Sequence, residues 1–422
     1  MRNFIFNNKN IICIVGLGYV GLPLLVEFSK FYKTIGFDTD ELKLKRIKKN
    51  YNFIFKNNII TTDKKKINLA DIIIVCLPTP INRFKKPDIS ILKNASKVIG
   101  KNIKKNTIII YESTVYPGTT EKICLPILEK NSSLKEGLDF HIAYSPERIN
   151  PGDKKNTLTN VAKVVSAKNH QIARIIAKLY QKIIKPKIFI AQSILVAETA
   201  KIIENVQRDV NIALINELSL ICNKLNINTK EVLEASETKW NFLKFRPGLV
   251  GGHCIGVDPY YLSYLSKKIG HNPILIDCGR KINDEMTMHV YRNIRKILPK
   301  SNSRILIMGV AFKKNCDDIR NSKIIELAEI LSKNNYKVIL HDPLVNFLEN
   351  HELLKYKKID TFSKKRIAKF DAIVLGAGHD LFNQYNDNFY KKNLVNNGTI
   401  FDLDYFFKKN KKKYLKFNFW NL

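Results

Sequence analysis

One cysteine stands in the run Gly248-Leu249-Val250-Gly251-Gly252-His253-Cys254-Ile255-Gly256-Val257-Asp258-Pro259. The residue types predict a nucleophile. Paired glycines let a ligand approach the backbone where a Cβ would clash. The thiolate is the reactive form of the side chain, and Asp258 adds a carboxylate four residues on. His253 invites a Cys–His dyad, but neighbours in an extended segment point to opposite sides, which favours a structural role. Upstream, Lys201, Asn205 and Arg208 recur at i, i+4 and i+7 and so share one helix face. Such a face can simply meet water. If it lines a cleft, the lysine and the amide can stabilise a developing oxyanion. Glu147, in Ser145-Pro146-Glu147-Arg148, is an acid/base candidate if it lies by a cofactor, and otherwise a surface carboxylate paired with a lysine. This set predicts oxidation through a covalent thiohemiacetal.

A hydride acceptor is predicted near the start of the chain. Gly16-Leu17-Gly18-Tyr19-Val20-Gly21 follows an apolar run and opens a helix expected over Leu22–Phe31, and Asp38 ends the next apolar run. In a dinucleotide-binding turn the first glycine makes the bend and the second admits the pyrophosphate to the helix N-terminus. The third lets helix and strand pack closely. Asp38 would accept from ribose hydroxyls and repel a 2′-phosphate, which predicts NAD rather than NADP. Leu77-Pro78-Thr79-Pro80 and Glu112-Ser113-Thr114-Val115 follow later runs, at strand ends where ligands bind in open sheets. Ala311-Phe312-Lys313-Lys314 and Asp317-Asp318-Ile319-Arg320 hold the same place later in the chain, where cations can meet a diphosphate.

These residues need two sheets to position them. The runs Ile11–Val15, Thr34–Phe37, Asp71–Leu77, Thr107–Tyr111 and Phe140–Tyr144 are spaced by helix-sized intervals and read as buried strands of a parallel sheet. From Ser193 to about Leu225 there is no glycine or proline, and apolar residues follow helical spacing, so a long helix opens a helical middle segment. A second strand–helix series starts at Arg304–Val310 and continues through Lys337–His341, Asp371–Leu375 and Thr399–Leu403. The fold class is α/β, with two Rossmann-like doubly wound domains joined by a long central helix and a helical domain. The expected domains are 1–192, 193–298 and 299–422.

With 422 residues, the chain exceeds one core. Its formal charge is +33. The lysines are scattered through every segment alongside Ile and Asn, with no nucleic-acid-binding module, so no nucleic-acid partner is expected. A positive field still favours a substrate carrying a diphosphate. Seven cysteines form no C-x-x-C pair, which argues against a disulfide framework or a metal site and fits a reducing cytoplasm. The apolar stretch 11–26 carries glycines and no cleavage site, and no other run is long enough for a membrane span. The tail Lys408–Lys413 reads as a solvated charge run.

In this order the motifs resemble the UDP-glucose/GDP-mannose dehydrogenase family of nucleotide-sugar oxidases, over nearly the whole chain. The spacings Lys201-x-x-x-Asn205 and Cys254-x-x-x-Asp258 carry the resemblance more specifically than any glycine motif. The runs Ser145–Gly152, Asn205–Asp209 and Gly252–Tyr261 are similar to the branch acting on UDP-N-acetylhexosamines. UDP-glucose enzymes carry a second glutamate where this chain has Pro151. The resemblance implies a homodimer or higher homo-oligomer, with the middle domain as the dimerisation element and the last domain binding the UDP-sugar. It implies two NAD⁺ per substrate and no metal. It implies catalytic roles for Cys254, Lys201, Glu147, Asn205, Asp258 and Thr114, and cofactor contacts from Gly16, Gly18, Tyr19, Val20, Gly21, Asp38, Lys43, Pro78, Thr79, Ser113, Thr114 and Arg320. Substrate contacts would come from Glu147, Arg148, Lys201, Asn205, Arg208, Phe312 and Lys313, and from Phe242, Leu243, Arg246 and Gly248 in a loop, Asn241–Gly248, closing over the sugar nucleotide. The product would serve surface polysaccharide synthesis. The rival readings are a UDP-glucose or GDP-mannose enzyme, and an inactive scaffold acting as a basic binding protein.

Overall fold

The apolar runs form strands because each can be buried on both faces, as a sheet covered by helices on either side requires. Ile72–Val75 and Thr107–Tyr111 are buried at every position. The computed structural model describes residues 7, 9–51, 58–149, 156–360, 362, 368–407 and 417–422. Asn150, Pro151 and Gly152 of the Ser145–Gly152 run and the basic tail Lys408–Lys413 lie outside the described residues. The chain divides into two compact units, Met1–Glu204 with Tyr260–Asn272 and Asn205–Pro259 with Pro273–Leu422.

The first unit runs β1 (Ile11–Val15), α1 (Gly21–Phe28), β2 (Lys33–Phe37), α2 (Glu41–Asn50), β3 (Ile59–Thr61), β4 (Ile72–Val75), α3 (Ser90–Gly100), β5 (Thr107–Tyr111), α4 (Leu125–Ser132), β6 (Phe140–Tyr144), β7 (Val164–Ala167), α5 (His170–Gln181) and β8 (Phe189–Ile190). Its sheet has the order β3-β2-β1-β4-β5-β6-β7-β8. All pairings are parallel except β6 with β7. Strand order reverses between β1 and β4, and the glycine turn leaves the carboxyl end of β1 at that point. Helix α1 ends at Phe28, three residues short of the expected Phe31, because β2 begins at Lys33 and the chain must turn first. Ile12, Ile14, Leu24, Phe28, Ile74 and Tyr180 anchor the core between sheet and helices.

Helix α6 (Ile194–Leu225) passes from the first unit into the second, and α7 (Thr229–Ser236), α8 (Asp258–Lys268) and α9 (Ile274–Ile297) follow. Then come β9 (Arg304–Met308), α10 (Lys323–Lys333), β10 (Lys337–His341), β11 (Lys357–Lys358), β12 (Phe370–Leu375), α11 (Asp387–Asn393), β13 (Leu394–Asp402) and β14 (Asn418–Asn421). The order β11-β10-β9-β12-β13-β14 is parallel throughout. This second doubly wound sheet reverses beside β9, as the first does beside β1. Among the described residues no helix is long and apolar enough to cross a membrane.

Candidate active site

The turn after β1 has the backbone its glycines predict. Gly16 has φ +92°, and a Cβ there would lie 2.5 Å from the Cys76 carbonyl oxygen. A Cβ on Gly21 would fall 1.9 Å from the Gly16 oxygen, so this position tolerates only glycine. Around Gly18 a Cβ would meet nothing within 4 Å, which leaves room for a ligand at the start of α1. Tyr19 is exposed and Val20 precedes the helix.

Asp38, at the end of β2, accepts from the Leu17 amide at 2.8 Å, the Asp40 amide at 3.1 Å and the Lys43 ammonium at 2.6 Å. Burial pushes its carboxyl up, but these donors outweigh that and hold it below its ordinary value. Lys43 thus offsets part of the negative charge expected to repel a 2′-phosphate. The strand-end loops join as well. Thr79 Oγ1 donates to the Thr114 carbonyl at 2.5 Å, and Ser113 Oγ accepts from the Leu77 amide at 3.0 Å. Pro78 lies between those ties, and Tyr261 donates its hydroxyl proton to the Thr79 carbonyl. Residues from two separate motifs, Pro78-Thr79 and Ser113-Thr114, therefore meet at the carboxyl ends of β4 and β5.

Glu147 follows β6. Its Oε1 accepts from the backbone amides of Arg148 at 2.6 Å and Ile149 at 2.8 Å. Its Oε2 is buried without a hydrogen-bond partner and lies 3.6 Å from the Lys163 ammonium. The expected surface lysine pair is thus a buried one. Arg148 pairs with Glu204 at 2.7 Å and donates to the Ala162 carbonyl at 3.0 Å.

On α6, Lys201 is buried, Asn205 half-buried and Arg208 exposed. The predicted common face therefore runs from interior to solvent. Asn205 donates from Nδ2 to Asp258 Oδ2 at 2.5 Å, joining α6 to the first residue of α8. Cys254 sits one turn before α8, and its carbonyl accepts from the amides of Val257 at 3.0 Å and Asp258 at 2.9 Å. The positive end of the α8 dipole lies beside this turn.

The glycine pair before Cys254 is packed closely by the protein's own chain. A Cβ on Gly251 would lie 2.5 Å from the Asn321 carbonyl oxygen, and one on Gly252, at φ +81°, would lie 2.7 Å from the Phe312 ring. Asn321 also donates to the Gly252 carbonyl at 3.2 Å. Phe312 thus packs on the cysteine loop. His253 stands edge-on to Phe312 and 3.6 Å from Asp318, consistent with a structural role.

Arg320 grips Asp318 with two donors, Nε at 3.0 Å and Nη2 at 2.5 Å. That hydrogen bond raises the Arg320 pKa; burial opposes it, and the nearby Asp318 and then Cys254 add to the rise. Arg320, expected at the cofactor, therefore also lies within electrostatic reach of the thiol. Lys313 rests over the Phe312 ring at 5.4 Å. In the loop after α7, Arg246 pairs with Glu237, while Leu243 is exposed and Phe242 half-buried.

Sequence reasoning missed what holds the loop. Gly248 donates to Asn216 Oδ1 at 2.9 Å and accepts from Asn216 Nδ2 at 3.1 Å. Asn216 reaches Asn283 at 2.8 Å, Asn283 reaches Asp209 at 2.8 Å, and Arg280 pairs with Asp209 at 2.6 Å. The available signal was Asp209 and Asn216 seven residues apart at interior positions of α6. Another missed link is the buried pair Asp342–His379 at 3.1 Å. Asp342 accepts from the Val310 amide at 2.7 Å, as Asp38 does from Leu17, and His379 Nδ1 accepts from the Asn315 amide at 2.8 Å. These bonds fix the Phe312–Lys313 loop at the carboxyl end of β9. Among the described residues no group of His, Cys, Asp and Glu could hold a metal ion.

A dinucleotide turn at the reversal of one parallel sheet, a second sheet of the same winding and a cysteine loop at a helix start are the parts of a two-Rossmann dehydrogenase. The chain belongs to the UDP-glucose/GDP-mannose dehydrogenase family. The family's NAD binding domain matches residues 10–184, its central domain 195–285 and its UDP binding domain 306–409. The chain is 44% identical over 414 residues to protein CapL of Staphylococcus aureus, covering 94% of this chain and 96% of that one. It is 44% identical over 409 residues to the UDP-N-acetyl-D-glucosamine 6-dehydrogenase of Salmonella typhi, covering 93% and 96%. Its fold matches the solved UDP-D-ManNAc dehydrogenase of Pyrococcus horikoshii with a TM-score of 0.84 at 28% identity, covering 97% and 98%.

Proposed function

We infer that this protein oxidises the C6 hydroxyl of a UDP-N-acetylhexosamine, UDP-GlcNAc or UDP-GalNAc, to the uronic acid. The observation that carries the reading is the Asn205–Asp258 hydrogen bond at the start of α8, one turn after Cys254, whose thiol lies within electrostatic reach of Arg320. It couples the two motifs whose spacing is most specific to the family. The 44% identity to a UDP-N-acetyl-D-glucosamine 6-dehydrogenase supports the choice of sugar.

The open start of α1 and the charged end of β2 fit NAD, which would supply the hydride acceptor for both oxidations. Gly16, Gly18, Tyr19, Val20 and Gly21 would hold its pyrophosphate, and Asp38 with Lys43 its ribose, beside Pro78, Thr79, Ser113 and Thr114. Asp258 holds the water that takes the hydroxyl proton. The Cys254 thiolate adds to the aldehyde and forms a C–S bond, giving a thiohemiacetal. After the second oxidation Glu147 takes a proton from water, which attacks the thioester; the C–S bond breaks with its electron pair going to the Cys254 sulfur as thiolate, and the acid formed ionises and departs as the carboxylate. Lys201 and Asn205 stabilise each oxyanion. Phe312, Lys313, Arg148, Arg208 and the Asn241–Gly248 loop bind the sugar nucleotide, and Arg320 contacts the cofactor where it meets the substrate. Functionally the chain divides as 1–192 for NAD, 193–298 for dimerisation and catalysis, and 299–422 for the UDP-sugar, in a homodimer or larger homo-oligomer. The product would enter surface polysaccharide synthesis.

The test is Cys254→Ser. It should form no uronic acid while still binding NAD and UDP-sugar, and acid formation near the wild-type rate would overturn the covalent scheme.

A further inference from the structure

The first unit buries a charged cluster that this reaction scheme does not use. Glu112, at the end of β5, and Lys163, just before β7, have side chains 0% and 3% exposed and pair at 2.9 Å. Tyr180, on α5, donates its hydroxyl proton to the other Glu112 oxygen. Lys163 also donates to the Pro146 carbonyl at 3.3 Å and lies 3.6 Å from Glu147 Oε2. One ammonium therefore faces two carboxylates. Among the described residues Cys76, beyond β4, and Ser145, at the end of β6, also face the cluster.

Buried charges are costly even when paired, so a fold with no other use for them would do as well with apolar side chains. Here the carboxylates differ in their partners. Glu147 Oε1 is committed to two amides, whereas among the described residues its Oε2 forms an ion pair with Lys163 alone. Both Glu112 oxygens are bonded.

We propose that Glu112, Lys163 and Tyr180 are positioning residues for Glu147: Lys163 divides its charge between the two carboxylates, and Glu112, held by Tyr180, sets the share that reaches Glu147 Oε2. The proposal rests on the reading of Glu147 as the base that activates water. Burial first, and then the Glu147 charge, push Glu112 up to about 7 against the pull of Lys163 and Tyr180. When Glu112 takes up a proton, the full ammonium charge turns to Glu147. When it ionises, the charge is shared.

The test follows acid release separately from the first hydride transfer, in single turnovers of the full-length protein across pH 5.5–9. Release in the wild type should inflect near pH 7. Glu112→Gln should lose that inflection and keep the rate of the first transfer within about twofold. Tyr180→Phe should move the inflection to higher pH, because the ionised Glu112 loses a donor. Lys163→Met should slow release by roughly tenfold or more, since it leaves the Glu147 charge without its cation and about 1.4 kcal/mol is already tenfold, and Lys163→Arg should restore most of it. A wild-type pH profile in both Glu112→Gln and Tyr180→Phe would overturn the proposal. So would a parallel fall of both steps, which marks a purely structural cluster. Glu147→Gln separates the two ideas. If it slows release while the cluster variants do not, only the relay fails; if it leaves release unchanged, the role of Glu147 falls with it.

Discussion

Lys201 is a buried cation on α6 one turn before Asn205, which itself holds Asp258. Burying an ammonium has a cost that a solvated-face lysine would not bear. The proposed oxyanion partner would give that position a purpose. Lys201→Ala should lower kcat by roughly 10²–10³, the loss typical of one oxyanion donor, with NAD affinity preserved. A rate within a fewfold of wild type would return Lys201 to a structural role. At this scale what was legible is local placement: Cys254 one turn before Asp258, Lys201 one turn before Asn205 on α6, and the tight backbone of the Gly16–Gly21 turn. Glu112, Lys163 and Tyr180 were not legible as a set. The partners lie 51 and 68 residues apart, and only the folded sheet brings them together. The same holds for Asn216 and Asn283, 67 residues apart.

At the scale of elements, the cysteine loop is held by what it packs against. Gly252→Ala would place a Cβ against the Phe312 ring in a left-handed backbone, costing roughly 1–2 kcal/mol for conformation and about 1–3 kcal/mol for overpacking. The expected outcome is a large loss of kcat with NAD binding intact, since the NAD turn lies in the other unit; wild-type kcat would show that the loop tolerates the shift. Glu198 on α6 accepts from the amides of Gly118 at 2.5 Å and Thr120 at 2.9 Å. Burial, first among its causes, raises its carboxyl from 4.5 to about 7. A raised acid favours its protonated form in the fold, so its contribution to stability is present below pH 4.5 and is lost as pH rises through about 7. Glu198→Gln lacks that titration, and its stability should gain on the wild type across this window. Unfolding midpoints of both proteins between pH 4.5 and 8 check the sign, and a change in the wild type's favour would contradict it. The strands read from continuous apolar runs were found. The short ones were missed: Ile59–Thr61, Val164–Ala167, Phe189–Ile190, Lys357–Lys358 and Asn418–Asn421. Pieces of two to four residues show no usable periodicity, and the reversal that makes β7 antiparallel to β6 is a tertiary choice.

At the scale of the whole molecule, two parallel sheets of the same winding serve two nucleotide-binding roles in one chain, and the scattered basic surface suits anionic ligands for both. The formal charge of +33 predicts that association with a sugar diphosphate slows as salt rises, whereas hydride transfer from bound substrate does not. Both α/β halves were legible from Ile- and Val-rich runs at helix-sized intervals. The division into two compact units was not, because α6 and α8 each continue from one unit into the other. Taking a C6 hydroxyl through to the acid removes four electrons from each N-acetylated UDP-sugar. The most direct test of this oxidation is to count NADH at 340 nm per sugar consumed, offering UDP-GlcNAc, UDP-GalNAc and UDP-glucose. Two NADH per N-acetylated sugar and a much lower kcat/KM with UDP-glucose are expected. One NADH per sugar, or a preference for UDP-glucose, would contradict the proposed reaction.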